Sequence, residues 1–284
     1  MRKACHYFSI SLLIGLIVIG FGACRDSERD LDDETESSRD FATMQNLLND
    51  AFKQVHRVAL YDSVLNDTGI VQLIDTNCLD TFYTTTGLNQ FPTTLVLNYG
   101  TGYGPACLDG RYRKGEIRAR FTSKYTNPNA IITFTFDNYW VDLYKLDGTM
   151  VMTGLGNGNY TVSVTDGSVF WTPSVLEFTV TYDGSYTLER EDGTATLDPE
   201  DDIFRISSGV GSGVNSRGNT YTANVTDPLR VALSCSWMID GGVRLKPSNL
   251  QTRDLDFGSG ACDSRLMITI NNREFEATIP GYND

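Results

Sequence analysis

The residues able to do chemistry in this chain are few, and their spacing is uneven. Six cysteines occur among 284 residues, four of them in two matched pairs: Cys78 and Cys107 lie 29 apart, Cys235 and Cys262 lie 27 apart. The match goes beyond spacing. Leu97-Asn98-Tyr99-Gly100-Thr101-Gly102 aligns with Leu255-Asp256-Phe257-Gly258-Ser259-Gly260. With Tyr103-Gly104-Pro105 set aside as an insertion, Ala106-Cys107 aligns with Ala261-Cys262, and Asp109-Gly110-Arg111 with Asp263-Ser264-Arg265. The pattern is a duplicated unit of strand, glycine turn, cysteine and strand, over about 70–125 and 220–284. Four cysteines allow three pairings. The duplication favours Cys78–Cys107 and Cys235–Cys262, each closing a loop of nearly thirty residues and contributing roughly 3–4 kcal/mol. Pairing between the units would instead staple the ends of the domain together. A metal site is a third reading, but there is no Cys-x-x-Cys and no neighbouring histidine. The glycine turns lack the lysine and helix of a phosphate loop; they read as tight turns with the aromatic packed beneath.

Other candidates are weighed the same way. Asp198, Glu200, Asp201 and Asp202, grouped around Pro199, form the densest acidic cluster of the folded part. Hard cations such as calcium take several oxygens from one loop, but no EF-hand spacing is present, so a solvated loop is the simpler account. Trp140, Tyr144, Trp171 and Trp237 are candidate ligand contacts, since aromatics with a polar tip suit wet binding surfaces. Strand aromatics also pack in cores or pair across strands. Glu177, Glu274 and Glu276 alternate with apolar neighbours as solvent-face strand positions do, and no carboxylate pair stands out for glycoside hydrolysis. Of two histidines, His6 and His56, only the second lies in the expected mature chain, so a Ser-His-Asp site would need His56. No catalytic residue, cofactor or resident metal is expected.

The elements that position these residues follow from periodicity. Phe41, Met44, Leu48, Ala51, Val55 and Val58 recur at helical spacing, with Ser37 or Ser38 as cap and Asp40 near the positive end. They predict an amphipathic helix over about 38–62, packed on the domain or beside the tether, with His56 exposed off the stripe. From Ile70 onward the period is two. Asp147-Gly148, Asp166-Gly167, Asp183-Gly184 and Asp192-Gly193 read as hairpin turns joining strands of seven to nine residues, continued by Asp240-Gly241 and Asn271-Asn272. The expected fold is all-β: an antiparallel meander forming a sandwich or curved sheet, with one N-terminal helix.

The first residues read as an address. Arg2 and Lys3 precede an apolar run from Phe8 to Gly22, too short for the roughly 20 residues that span a bilayer but suited to a signal peptide over 1–23. Phe21-Gly22-Ala23-Cys24 resembles a bacterial lipobox, which implies that Cys24 is lipidated and begins the mature chain. Residues 24–37 form an acidic tether: seven of the eleven residues from Asp26 to Glu36 are Asp or Glu. This run resembles the export signal of Bacteroidetes surface lipoproteins. With the glycine–cysteine units it is similar to an uncharacterised group of them, which implies an exported β protein facing the cell exterior. Asp62-Ser63-Val64 resembles their O-glycosylation site. Removing 1–23 leaves 21 basic against 36 acidic side chains, a charge of −15, which argues against nucleic acid as a partner.

Three functions fit. The first is a lipid-anchored outer-membrane binding or interaction module for a glycan or protein ligand, without enzymatic activity. The second is a structural subunit of an envelope or adhesive assembly, pairing through strand edges. The third is a carboxylate-based carbohydrate enzyme.

Overall fold

The structure, a computed structural model, describes residues 32–66, 77–86, 90–171 and 177–280. The expected signal peptide, Cys24 and most of the acidic tether lie outside the described residues. Among the described residues one α-helix, α1 (Glu36–Tyr61), precedes thirteen strands: β1 (Thr81–Thr86), β2 (Thr93–Asn98), β3 (Arg113–Phe121), β4 (Ile131–Val141), β5 (Tyr144–Gly156), β6 (Asn159–Trp171), β7 (Phe178–Asp192), β8 (Ile203–Val214), β9 (Thr220–Ala232), β10 (Asp240–Pro247), β11 (Arg253–Ser259), β12 (Arg265–Ile270) and β13 (Arg273–Thr278). They form a single sheet in sequence order, each strand antiparallel to its neighbours, with β1 and β13 as edges. The all-β meander with one helix is therefore present. It is one curved sheet rather than a sandwich, and it does not close into a barrel.

The Asp-Gly dipeptides take a different part from the one expected. Asp147-Gly148 lies inside β5, Asp166-Gly167 inside β6 and Asp183-Gly184 inside β7, so those strands run 13, 13 and 15 residues. The pairing register shifts between Asp147 and Thr149 and between Val164 and Gly167. The Asp166 N–H donates to the Asp183 carboxylate at 2.8 Å, joining two of these sites side by side. Further shifts follow at Lys114/Glu116, Thr135/Trp140, Ile206/Val210 and Asp240/Gly242. The outer pairs β1–β2, β2–β3, β11–β12 and β12–β13 have none. Bulges bend the strand that carries them and increase its twist. A line of them across the middle strands creases the sheet and curves it. Some bulges and the tight hairpins share left-handed backbone, which Asp, Asn and Gly supply and which Gly148 and Asp166 adopt here, so the dipeptide alone does not distinguish them. The hairpins turn instead at Asp142-Leu143, Asn157-Gly158 and Asn271-Asn272; of these only the last was expected. Asp192-Gly193 does end β7, and Asp240-Gly241 opens β10 as a bulge.

Gly115 shows what the crease demands. Its φ is +81°, and a Cβ there would stand 2.0 Å from the Asn138 carbonyl oxygen on the facing strand. Gly115→Ala is expected to cost about 2–3 kcal/mol, from left-handed strain plus displacement of that carbonyl. Urea unfolding measures it; a loss within 0.5 kcal/mol, about that of a neutral surface change, would show that the bulge relaxes freely.

The helix lies within two residues of its expected ends, but not where it was expected to pack. Its apolar stripe is buried, and so are Gln45, Asn46, Asn49, Asp50, Lys53 and His56. Walls come from all sides. Phe41 meets Tyr182 of β7 and Tyr221 of β9, Phe52 meets Phe204 of β8, and Asp50 meets Arg113 of β3 and Tyr139 of β4. The sheet wraps α1, so the helix is the centre of the core. The cap also differs: Thr35 holds the N-cap position without a side-chain bond. Glu34 caps instead, its carboxylate accepting from the Ser37 N–H at 2.9 Å and the Ser37 hydroxyl at 3.0 Å.

The two disulfides are Cys78–Cys107 and Cys235–Cys262. Each joins the chain just before a hairpin to the chain just after it: β1–β2 in the first unit, β10–β11 in the second. The duplication extends to hydrogen bonds. Asn98 Oδ1 accepts from the Gly100 N–H at 2.7 Å, and Asp256 Oδ1 from the Gly258 N–H at 2.8 Å. Asp109 accepts from the Arg111 N–H and Asp263 from the Arg265 N–H, at 3.1 and 3.0 Å. Tyr99 and Phe257 are both buried beneath their turns.

Candidate functional site

Two polar constellations emerge, one sealed inside the sheet and one on its outer face. The inner one begins at Asp50 on α1. Its carboxylate accepts from Arg113 Nη2 at 2.5 Å and from the Tyr139 hydroxyl at 2.9 Å. Arg113, itself 2% exposed, also donates twice to Asp109, at 3.0 and 2.5 Å. Burial alone would raise the Asp50 carboxyl; Arg113 and Arg111 outweigh it and hold the group well below the usual carboxylate range. One turn on, the Lys53 ammonium donates to the Cys235 carbonyl at 2.5 Å. Burial, with Arg57 adding repulsion, pushes its pKa down to about 7. An amine brought towards neutrality is a property of Schiff-base lysines, but Lys53 is 4% exposed and its donor is committed to backbone.

His56 is buried, which corrects the exposed position expected for it. Its Nδ1 lies 2.7 Å from the Tyr125 hydroxyl and its Nε2 2.9 Å from Asp202 Oδ2. The second Asp202 oxygen takes Arg190 Nη2 at 2.5 Å. A neutral ring satisfies both contacts: Tyr125 donates to Nδ1, and Nε2–H donates to Asp202. This resembles a catalytic His–Asp pair, with a phenol where a serine would stand, but every member is enclosed. Its evident work is to tie the end of α1 to the loop between β7 and β8.

Burial lowers the His56 pKa from 6.5, with Asp202 opposing and Arg190 and Arg57 assisting. The unfolded chain therefore binds this proton more readily than the folded one. Stability from the neutral pair is complete above pH 6.5 and declines as pH falls below it. The expected slope between pH 6.5 and 5 is up to about 1.4 kcal/mol per unit. In His56→Gln that slope should vanish; an equal slope in the variant would assign the effect elsewhere.

The acidic loop does not converge. Asp198 caps a short 3-10 turn, accepting from the Glu200 N–H at 3.0 Å. Glu200 pairs with Arg57 at 2.5 Å, Asp201 accepts from the Thr196 hydroxyl at 2.7 Å, and Asp202 turns inward to His56. Among the described residues no group of three or more His, Cys, Asp or Glu is placed to hold a metal. The solvated-loop expectation holds for Asp198 but not for fully buried Asp202. A cavity lined by Phe41, Gln45, Tyr182, Tyr186, Ile206 and Val243 has about 20 Å³, room for a single water.

The aromatic candidates separate. Trp171 stacks between Tyr144 and Phe178, with centroids at 5.9 and 5.4 Å, and packs against the core. Trp237 packs beside Cys235 and Ile239. Trp140 faces outward, since its strand neighbours Tyr139 and Val141 are wholly buried. The pairing register places Lys114 opposite Trp140, Trp140 opposite Lys145, and Lys145 opposite Phe170. The Lys114 ammonium lies 4.5 Å from the ring centres of both Trp140 and Tyr103, and Trp140 meets Phe170 edge-on at 6.2 Å. The order across the outer face is Tyr103, Lys114, Trp140, Lys145, Phe170. Tyr103 comes from the insertion that distinguishes the first cysteine unit, and its hydroxyl bonds to the Asp142 carbonyl at the β4–β5 turn.

Sequence reasoning listed Trp140 among its candidate ligand contacts but did not place the lysines beside it. The signal was available: a hairpin turning at Asp142-Leu143 places 141 opposite 144 and 140 opposite 145. Reading the turn at Asp147-Gly148 hid it. No family model, curated protein or solved structure matches the chain.

Proposed function

We propose that this chain is an exported lipoprotein, anchored through Cys24 in the outer membrane and facing the cell exterior, that binds its ligand or partner on the outside of the sheet. One observation carries the binding reading. The concave side, where a curved sheet would hold a small molecule, is occupied by the chain's own helix. Asp50, Lys53 and His56 on that helix are bonded to the walls, while the aromatic–lysine row stands outside. Two disulfides suit an oxidising compartment. The lipobox-like Cys24 and the acidic run support the anchor.

The experiment is protease shaving of intact cells, with mass spectrometry of the released peptides. Release of peptides beyond Glu36 from intact cells is the expected result. Complete protection overturns the surface reading and places the chain inside the envelope. A second reading is favoured by β1. This edge strand, Thr81-Phe82-Tyr83-Thr84-Thr85-Thr86, is free of charge, whereas the other edge, β13, carries Arg273, Glu274 and Glu276. Charged edges resist strand addition and uncharged ones permit it, so pairing through β1 in an envelope assembly is the alternative. A native mass several times that of the monomer would favour it.

A further inference from the structure

We infer that the outer row Tyr103–Lys114–Trp140–Lys145–Phe170 is a binding site for an acidic polysaccharide, a chain of uronate-type sugars. The inference rests on the binding reading above and names its ligand class. Geometry comes first. The five side chains stand on neighbouring elements in a fixed order, aromatic alternating with cationic, and four of them are placed by ladder pairing. Strands are about 4.8 Å apart, close to the length of one pyranose ring. A polysaccharide crossing the strands would therefore meet successive rungs with successive sugars. Aromatic faces take the C–H side of a sugar, and lysine ammoniums take its carboxylate.

Charge supplies the second argument. The full chain carries −13, and only six of its residues are lysine. Two of those six are on this row, and Lys53 is buried within the core. Exposed arginines elsewhere stand in pairs with carboxylates, as Arg244 with Asp254 and Arg265 with Glu276, whereas Lys114 stands over two aromatic rings. Lys145 is shared with the exposed Asp147 at 3.8 Å, a carboxylate that an acidic ligand would displace, and Glu116 and Asp137 both face Arg118. The Trp140 indole N–H donates to Asn138 at 3.0 Å, which fixes the ring, and the Lys114 ammonium stands over one of its faces. The rigidity of the row favours binding, because little side-chain freedom remains to be lost.

The test uses the full lipidated chain in detergent micelles and affinity electrophoresis through gels containing polygalacturonate, neutral dextran or poly-glutamate. Retardation by polygalacturonate, falling with added salt, is expected. Trp140→Ala and the pair Lys114→Gln with Lys145→Gln should each weaken it at least tenfold. Arg244→Gln, a control on the exposed pair with Asp254, should leave it unchanged. Thermal unfolding of each variant within 2 °C of the parent shows that the fold is intact. Equal retardation by dextran overturns the acidic class, and equal retardation by poly-glutamate overturns the sugar. An equal loss in Arg244→Gln overturns the site, and no retardation in any gel overturns the inference. These failures leave the surface reading standing when shaving of intact cells succeeds, so the two are separable.

Discussion

Asp50→Ala should destabilise the protein by about 3–5 kcal/mol, an expected effect several times that of an average substitution. The carboxylate sits on the enclosed helix and accepts from Arg113 and Tyr139. Removing it leaves a guanidinium at 2% exposure with Asp109 as its one remaining carboxylate. It also leaves the Tyr139 hydroxyl without its acceptor. An uncompensated buried charge costs far more than the pair contributes over an apolar substitute. Asp50→Leu combined with Arg113→Met should therefore recover most of the loss, a coupling of more than 2 kcal/mol in a double-mutant cycle. Urea unfolding at pH 7 measures all three variants. A cost below 1 kcal/mol for Asp50→Ala would show that α1 is held by its apolar contacts alone. The acid limb gives an independent check. Asp50 and Asp109 are both held below their unfolded value of 3.8. Their contribution is complete above pH 3.8 and is lost as pH falls through their lower folded values. Asp50→Ala should flatten that limb.

The same region explains how far the sequence could be read. The apolar positions from Phe41 to Val58 placed α1 to within two residues, because helical period is a property of the chain itself. The same pattern suggested an outer, solvated face that does not exist. Asp50, Lys53 and His56 are polar for partners 63 to 182 residues away, and a one-dimensional pattern cannot distinguish a carboxylate facing water from one facing a buried arginine. The duplicated motif was more informative, since it compared the chain with itself. Similar loop lengths and matching Asn/Asp-x-Gly turns favoured both disulfides. The Asp-Gly dipeptides misled for a physical reason: left-handed backbone serves bulges and turns alike, and only the facing strand decides which. Three strands, β5 to β7, were read at about half their length by that confusion, and the Trp140–Lys145 pairing was hidden with them.

The polar helix also accounts for the shape of the sheet. A 13-strand meander with a solvated concave face would have no core. α1 supplies one, and its polar anchors choose the geometry. Asp40 accepts from the Ser216 N–H at 2.8 Å, Asp50 bonds to the start of β3, and Arg57 donates to the Leu233 carbonyl at 2.6 Å. Each contact fixes a different loop against a different turn of one helix. Creasing the middle strands brings those loops within reach. Bulges and anchors are thus one device: the bulges give curvature, and the anchors set how much of it persists.

The two disulfides should then behave differently despite loops of similar length. Chain entropy assigns each about 3.5 kcal/mol. Cys235–Cys262 joins the β9–β10 loop to the β11–β12 loop, and the β9–β10 loop carries the Cys235 and Leu233 carbonyls that receive Lys53 and Arg57. Replacing both cysteines by serine should cost the full 3.5 kcal/mol or more and lower the global midpoint, because slack in that loop also loosens α1. Cys78–Cys107 ties down the entry to β1, an edge strand whose side chains are exposed or half-buried throughout. Replacing that pair should let β1 open on its own, at a global cost below the loop-closure figure. Hydrogen exchange separates the two outcomes. In the Cys78/Cys107 variant, the amides of Thr81–Thr86 should exchange at least tenfold faster while those of β6 to β9 keep their protection. In the Cys235/Cys262 variant, protection should fall across β6 to β9 together. Equal global losses in both variants would show that each disulfide acts only as a cross-link, and that the helix anchors on the second loop contribute nothing beyond it.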